Sequence, residues 1–365
     1  MKIGDKLPFP VSLQVDYDRP SIYHLDDYGK ETKEASKDEK AAQQKMRPST
    51  SFFRDSVKRF LRNPVATTCF VIMVLLILTV IIMTFVDPYK YDHQLTLDAY
   101  DASYNHLFPF QYSDTEKALI AQGQYVFPHI FGTDDLGRDY FARVLCGTAV
   151  SLCVGFFAAA IVLIIGSIYG SVSGYLGGKV DLIMMRIVDV IYSLPDIVLI
   201  ILISVVLHQV FLTADIGIFT KLGSGMVSIF IVFALLYWVG MARLVRGQVL
   251  SLKEQEYVLA SRSIGGSPWF VIKKHLLPNS MSVIIISAGL EIPSAIFTES
   301  FLSFLGLGVN APMASLGSLA SQGENSMKVY PYLLFIPALT ICFIVLCLNL
   351  IGDGLRDAFD PRLQR

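Results

Sequence analysis

Long apolar runs constrain this chain more than any other feature. Val65–Val86 holds 22 consecutive residues without one Asp, Glu, Lys or Arg. As a helix it covers about 33 Å, enough to cross a hydrocarbon layer of about 30 Å. Further apolar runs lie at roughly Leu145–Tyr175, Met184–Leu212, Met226–Val245, Val283–Leu307 and Tyr332–Ile351. Only 17% of the residues are charged, against about 25% in an ordinary soluble domain. A soluble core could not hide this much apolar sequence. The expected fold class is an all-α membrane protein with six transmembrane helices. The first run starts too late and is too long for the core of a cleaved signal peptide.

The polar segments set the orientation. Residues 1–50 are broken by Pro and Gly, carry a dense mixed-charge run from Lys30 to Lys45, and read as a flexible tail. Residues 51–64 are basic and amphipathic: Phe52, Phe53, Val57, Phe60 and Leu61 oppose Arg54, Lys58, Arg59 and Arg62. That pattern suits a helix lying on a membrane surface before the first span, 65–86. An Asp-rich region follows at 87–143. A core of five more spans occupies 144–353, with a basic loop at 247–280, and 354–365 is a short basic tail. Lys and Arg cluster before the first span, in the 247–280 loop and in the tail. With six spans, all three fall on one side. Both termini are therefore expected in the cytoplasm and the Asp-rich region outside.

The 247–280 loop reads as two short helices. Lys253–Ile264 carries Tyr257, Val258, Ala260 and Ile264 as its apolar set. Gly265-Gly266 stops it as a left-handed cap. Ser267 is an N-cap, Pro268 a first helical residue, and a second helix over Trp269–Leu277 is expected to end at Pro278. Such a piece is either an interfacial anchor or a docking element for a cytoplasmic partner.

Glu256–Gly265 (EYVLASRSIG), with Ile272 and the Leu276-Leu-Pro-Asn279 stretch, resembles the cytoplasmic coupling loop of ABC importer permeases. The motif's Ala and Gly fall on Ala260 and Gly265, and its Glu and second Ala are replaced by Leu259 and Ser261. Phe131–Asp139 (FGTDDLGRD), Glu299–Gly308 (ESFLSFLGLG) and Asn349–Pro361 are similar, in the same order, to segments of the dipeptide/oligopeptide permease family, second-permease type. The resemblance covers about Ser51–Arg362. It implies a type I importer permease fold, a related permease as partner, two cytoplasmic ATPases, and an outer binding protein delivering peptide. It also implies ATPase coupling through Glu256, Tyr257, Ala260, Ser261, Gly265, Ile272 and Pro278. Thr133–Asp139 would lie on the delivery side, unless it only forms a turn and helix cap.

No ATP site is expected in the chain itself. Gly177-Gly-Lys179 lacks the earlier Gly and the following Ser or Thr of a phosphate loop, so ATP and Mg belong to the partner ATPases. No catalytic motif or metal-ligand spacing occurs, and the five cysteines read as packing residues. The net charge of −1 gives no reason to expect a nucleic-acid partner. Gly166, Gly170 and Gly174 form a close-packing stripe against a helix of this chain or of the partner. Asp189, Asp196, Glu291 and Glu299 are ionisable residues within apolar runs and are candidates for the translocation pathway. Asp189 and Asp196, seven apart, would share a helix face, and pairing with Arg186 is the structural alternative. Competing functions are import of nickel or another small solute by the same machinery, an ion-coupled secondary transporter using these acids, and a membrane hydrolase.

Overall fold

In the computed structural model, residues 52–87, 89–96, 101–213, 224–309 and 313–359 are described. The expected tail at 1–50 and the last residues, 360–365, lie outside them. Helix α1, Phe52–Phe60, leads into α2, Pro64–Val86. Asn63 caps α2 by accepting a hydrogen bond from Ala66 N at 3.2 Å, and Pro64, with no N–H to lose, occupies the first turn. Across the 87–143 region runs α3, Asp114–Ala121, started by a reciprocal Ser113–Glu116 capping box. The core follows as α4 (Tyr140–Leu176), α5 (Gly178–Tyr192), α6 (Asp196–Thr213), α7 (Gly225–Leu252), α8 (Glu256–Ser263), α9 (Pro268–Phe304), α10 (Leu316–Ser326) and α11 (Tyr332–Phe359).

Five of these, α2, α4, α7, α9 and α11, are long and apolar enough to cross a membrane. The α5–α6 pair makes a sixth only as a span bent by 86°. The third apolar run is therefore not one straight helix. Ser193 and Leu194 end α5, and Pro195 lacks the N–H that would continue it and disfavours helical geometry at the residue before it. Asp189 and Asp196 consequently sit on different helices and share no face.

Helix α9 is the hub. Its Ile296 packs with Leu152 of α4, Leu316 and Leu319 of α10, and Ile344 and Leu348 of α11. On another face Ala295 and Leu302 join Val154, Ala158, Ile229 and Phe233. Helix α10 carries no long apolar run; Gly, Ser and Ala let it lie close beneath α9 and α11. Phe60 and Ala66 pack against Ala358 and Phe359, so the beginning and end of the described core meet on one face. At the opposite face the Tyr332 hydroxyl donates to the carbonyls of Leu107 and Thr133, both at 2.9 Å, tying the 87–143 region to α11.

The glycine stripe packs within this chain. A Cβ on Gly166 would lie 2.6 Å from Met241 Cβ, one on Gly170 2.4 Å from Ala242 O, and one on Gly174 3.0 Å from Arg246 O. Helix α4 therefore lies against the α7 backbone along two turns. The Arg246 guanidinium bonds Asp181 at the start of α5, which also accepts from Ser173 at 2.6 Å, and this clamps α4, α5 and α7 together.

Candidate functional site

Several charged side chains of the 87–143 region pair with one another. Thr133 accepts from Leu107 N at 2.9 Å, Asp134 holds Arg138 and the fully buried Arg143 at 2.7 and 2.8 Å, and Asp139, not Thr133 or Asp134, caps α4 through Ala142 N. His129, with no exposed surface, lies between Asp139 at 2.7 Å and Glu116 at 3.2 Å. Burial alone would lower the imidazole pKa. The two carboxylate hydrogen bonds overcome it and hold the value up at about 9. Burial likewise opposes ionisation of Glu116, but His129 and the Ser113 N–H bring its pKa below the ordinary value.

The raised His129 value contributes stability that is complete below the ordinary imidazole pKa and fades as pH rises through about 9. The lowered Glu116 value contributes above the ordinary glutamate pKa and fades in acid. Amide protection factors across 101–139, which remove the base-catalysed rise of intrinsic exchange, should be largest near neutrality and fall above pH 9. The alkaline loss should be of order 3 kcal/mol and should be absent in His129→Gln.

The two-helix piece at the other face is built by local signals. Gly265 takes φ +89, its N–H bonds Arg262 O, and Gly266 N–H bonds Ser261 O, which closes α8. Ser267 accepts from Phe270 N at 3.3 Å and starts α9. The second short helix does not end at Pro278. A π-helical turn at Ile272–Leu276 carries it straight into the span. The wider turn rearranges the hydrogen bonding just where the proline ring meets the preceding backbone, so no break is required.

One side of this piece is fixed to the core: Val258, Val271, Ile272 and Leu276 pack with Val245 and Val249. The coupling candidates divide accordingly. Ser261 and Ile272 face inward, whereas Glu256, Tyr257, Ala260, Gly265 and Pro278 are exposed. Ile264, expected in the packed set, lies past the end of α8 and is 86% exposed. Leu259, Trp269 and Phe270, on the same two-helix piece, are exposed as well. Three of these four escape a sequence reading. Their signal is a set of large apolar residues surplus to the packed face, beside a Gly-Gly turn and a Pro start. Exposed large apolar side chains in such number on one short piece are a mark of partner surfaces.

The intramembrane acids also divide. Asp189 bonds Arg243 at 2.7 Å, not Arg186, and Arg243 stacks 4.0 Å over Tyr192. Asp196 begins α6, and its side chain lies outside the described ones. Glu299 is fully buried and accepts from Ser151 and Ser303, both at 2.7 Å, so it joins α4 to α9. Glu291 lines a cavity of about 540 Å³ between the α5–α6 bend, the middle of α7 and α9, together with Tyr192, Pro195, Tyr237, Gly240 and Ser294.

Residues 163–365 match the family described as "binding-protein-dependent transport system inner membrane component", and residues 51–109 match "N-terminal TM domain of oligopeptide transport permease C". The oligopeptide permease protein OppC of Bacillus subtilis (strain 168) is 41% identical over 87% of this chain and 92% of its own length. The dipeptide permease protein DppC of the same organism is 41% identical over 87% of this chain and 88% of its own. The glutathione permease protein GsiD of Pectobacterium atrosepticum is 33% identical over 86% and 92%. A solved methionine ABC transporter, MetNI, aligns with 60% of this chain at 19% identity and a TM-score of 0.45, too distant to carry weight. Two matched families, one at each end of the chain, and full-length relatives identify it as a multi-pass permease subunit that belongs to the binding-protein-dependent transport inner-membrane family, closely matching its oligopeptide and dipeptide permease C members.

Proposed function

We propose that this chain is one of two membrane-spanning subunits of an ATP-driven importer of peptides. The observation that carries the reading is full-length similarity, at 41% identity, to oligopeptide and dipeptide permeases. A related permease completes the passage, two ATPases supply the energy, and an outer binding protein delivers the peptide. In this reading α5 and α6 form one bent span, both termini are cytoplasmic, and the basic residues Arg54, Lys58, Arg59 and Arg62 beside the first span support that orientation.

In this mechanism the face made by Leu259, Ile264, Trp269 and Phe270, flanked by Glu256, Tyr257, Ala260 and Gly265, seats on an ATPase. Val258, Ser261 and Ile272 hold it to the spans. Because α9 is continuous from Pro268 to Phe304, displacement at the ATPase is carried along one rigid element into the membrane. Glu291 stands on that same helix at the groove. An ion-coupled relay through the acids is not favoured: Asp189 is paired with Arg243 and Glu299 is closed in by serines.

Tagging the chain in its host and purifying it in mild detergent tests the assembly. A second permease and ATPases bearing phosphate-binding loops should accompany it. A chain that purifies alone, from cells in which it is functional, overturns the reading.

A further inference from the structure

Two glutamates on α9, eight residues apart in sequence, have opposite surroundings. Glu299 is enclosed by serine hydroxyls. Glu291 has no hydrogen-bond or ion-pair partner among the described residues, yet it is only half-buried and opens on the groove. The described lining there is mostly apolar and aromatic, with hydroxyls from Tyr192, Tyr237, Ser294 and Thr298 and no cation. Arg243, a turn beyond the groove's Gly240, is already committed to Asp189 and to the ring of Tyr192.

We infer that Glu291 makes this groove selective for charge, favouring cargo that carries an ammonium or guanidinium group over cargo that carries a carboxylate at the same place. The inference rests on the proposal that the groove belongs to the peptide passage. A carboxylate beside apolar walls is poorly solvated and has no neighbouring cation to neutralise it. Its field therefore acts on whatever enters, more strongly than it would in water. An anionic side chain meets the same field with the opposite sign, and nothing in the described lining compensates it.

The test uses the complete importer in sealed vesicles, supplied with ATP and with saturating binding protein preloaded with one tripeptide. The central residue of the tripeptide is lysine, norleucine or glutamate. Preloading removes the binding protein's own preference from the comparison. In the wild type the lysine peptide should enter several-fold faster than the glutamate peptide. Glu291→Gln should bring that ratio to within about twofold of unity. Ser294→Lys, an exposed position one helical turn further along the same groove, should invert it, so the inference does not depend on one variant folding. A ratio that stays at the wild-type value in both variants overturns the inference. So does loss of the partner permease from Glu291→Gln during purification, which would make the groove a subunit seat. Failure of the wild type to import even the norleucine peptide overturns the underlying importer reading instead, and the two failures are distinguishable.

Discussion

Ile264→Asp is expected to strip the ATPases from the purified transporter and abolish ATP-driven uptake while leaving this chain folded. Ile264 is 86% exposed and belongs to none of the hydrophobic clusters. A surface change of this kind alters the chain's own stability by about 0.5 kcal/mol or less. In a docked interface the same residue would sit at the centre of an apolar patch. Placing an unpaired charge there should weaken docking by about 2–4 kcal/mol, roughly 30- to 1,000-fold in affinity. The measurement is the ratio of ATPase to permease recovered on affinity purification, alongside the melting temperature of the chain. Ile272→Asp makes the contrast. Ile272 is packed against the core, so that variant should fail by unfolding, with the loss of ATPase as a consequence.

Gly170→Leu should destabilise the chain by about 3 kcal/mol and lower its melting temperature in detergent by several degrees, by forcing α4 and α7 apart. Even the first carbon added there would meet Ala242 O at 2.4 Å and Val245 Cβ at 2.9 Å, and both helix backbones would have to move. Gly247→Leu on α7 is the control, since a Cβ there meets nothing within 4 Å. It should be neutral or slightly stabilising, because leucine is the better helix former. Equal melting temperatures for the two variants would mean that the stripe is not a tight contact.

Hydropathy makes the straight spans legible, because each must satisfy its own backbone in lipid and so needs a long apolar run. The cap chemistry of Gly265, Ser267 and Pro268 is legible for the same kind of reason: it is local, set by residues adjacent in sequence. What escapes depends on three dimensions. Pro195 signals a kink, but neither the 86° bend nor the consequent separation of Asp189 from Asp196 can be read from spacing. Pro278 looks like a helix end, and only the π-helical turn before it lets the helix continue. Helix α10 is short and rich in small and polar residues, and its apolar face, Leu316, Leu319 and Ala320, is too brief to stand out beside the long apolar runs. The four acids look alike as letters in apolar runs. Whether a serine, an arginine or an open groove stands opposite Glu299, Asp189 and Glu291 is decided by helices distant in sequence.

The central claim is that this chain moves peptides only as part of an ATP-driven assembly. The most direct measurement is uptake of a labelled oligopeptide into vesicles holding the purified complex, with binding protein on the receptor side and ATP on the other. Uptake should require ATP, should stop in Ile264→Asp, and should persist when ion gradients are collapsed. Uptake by this chain alone, without ATP and driven by an ion gradient, would contradict the account.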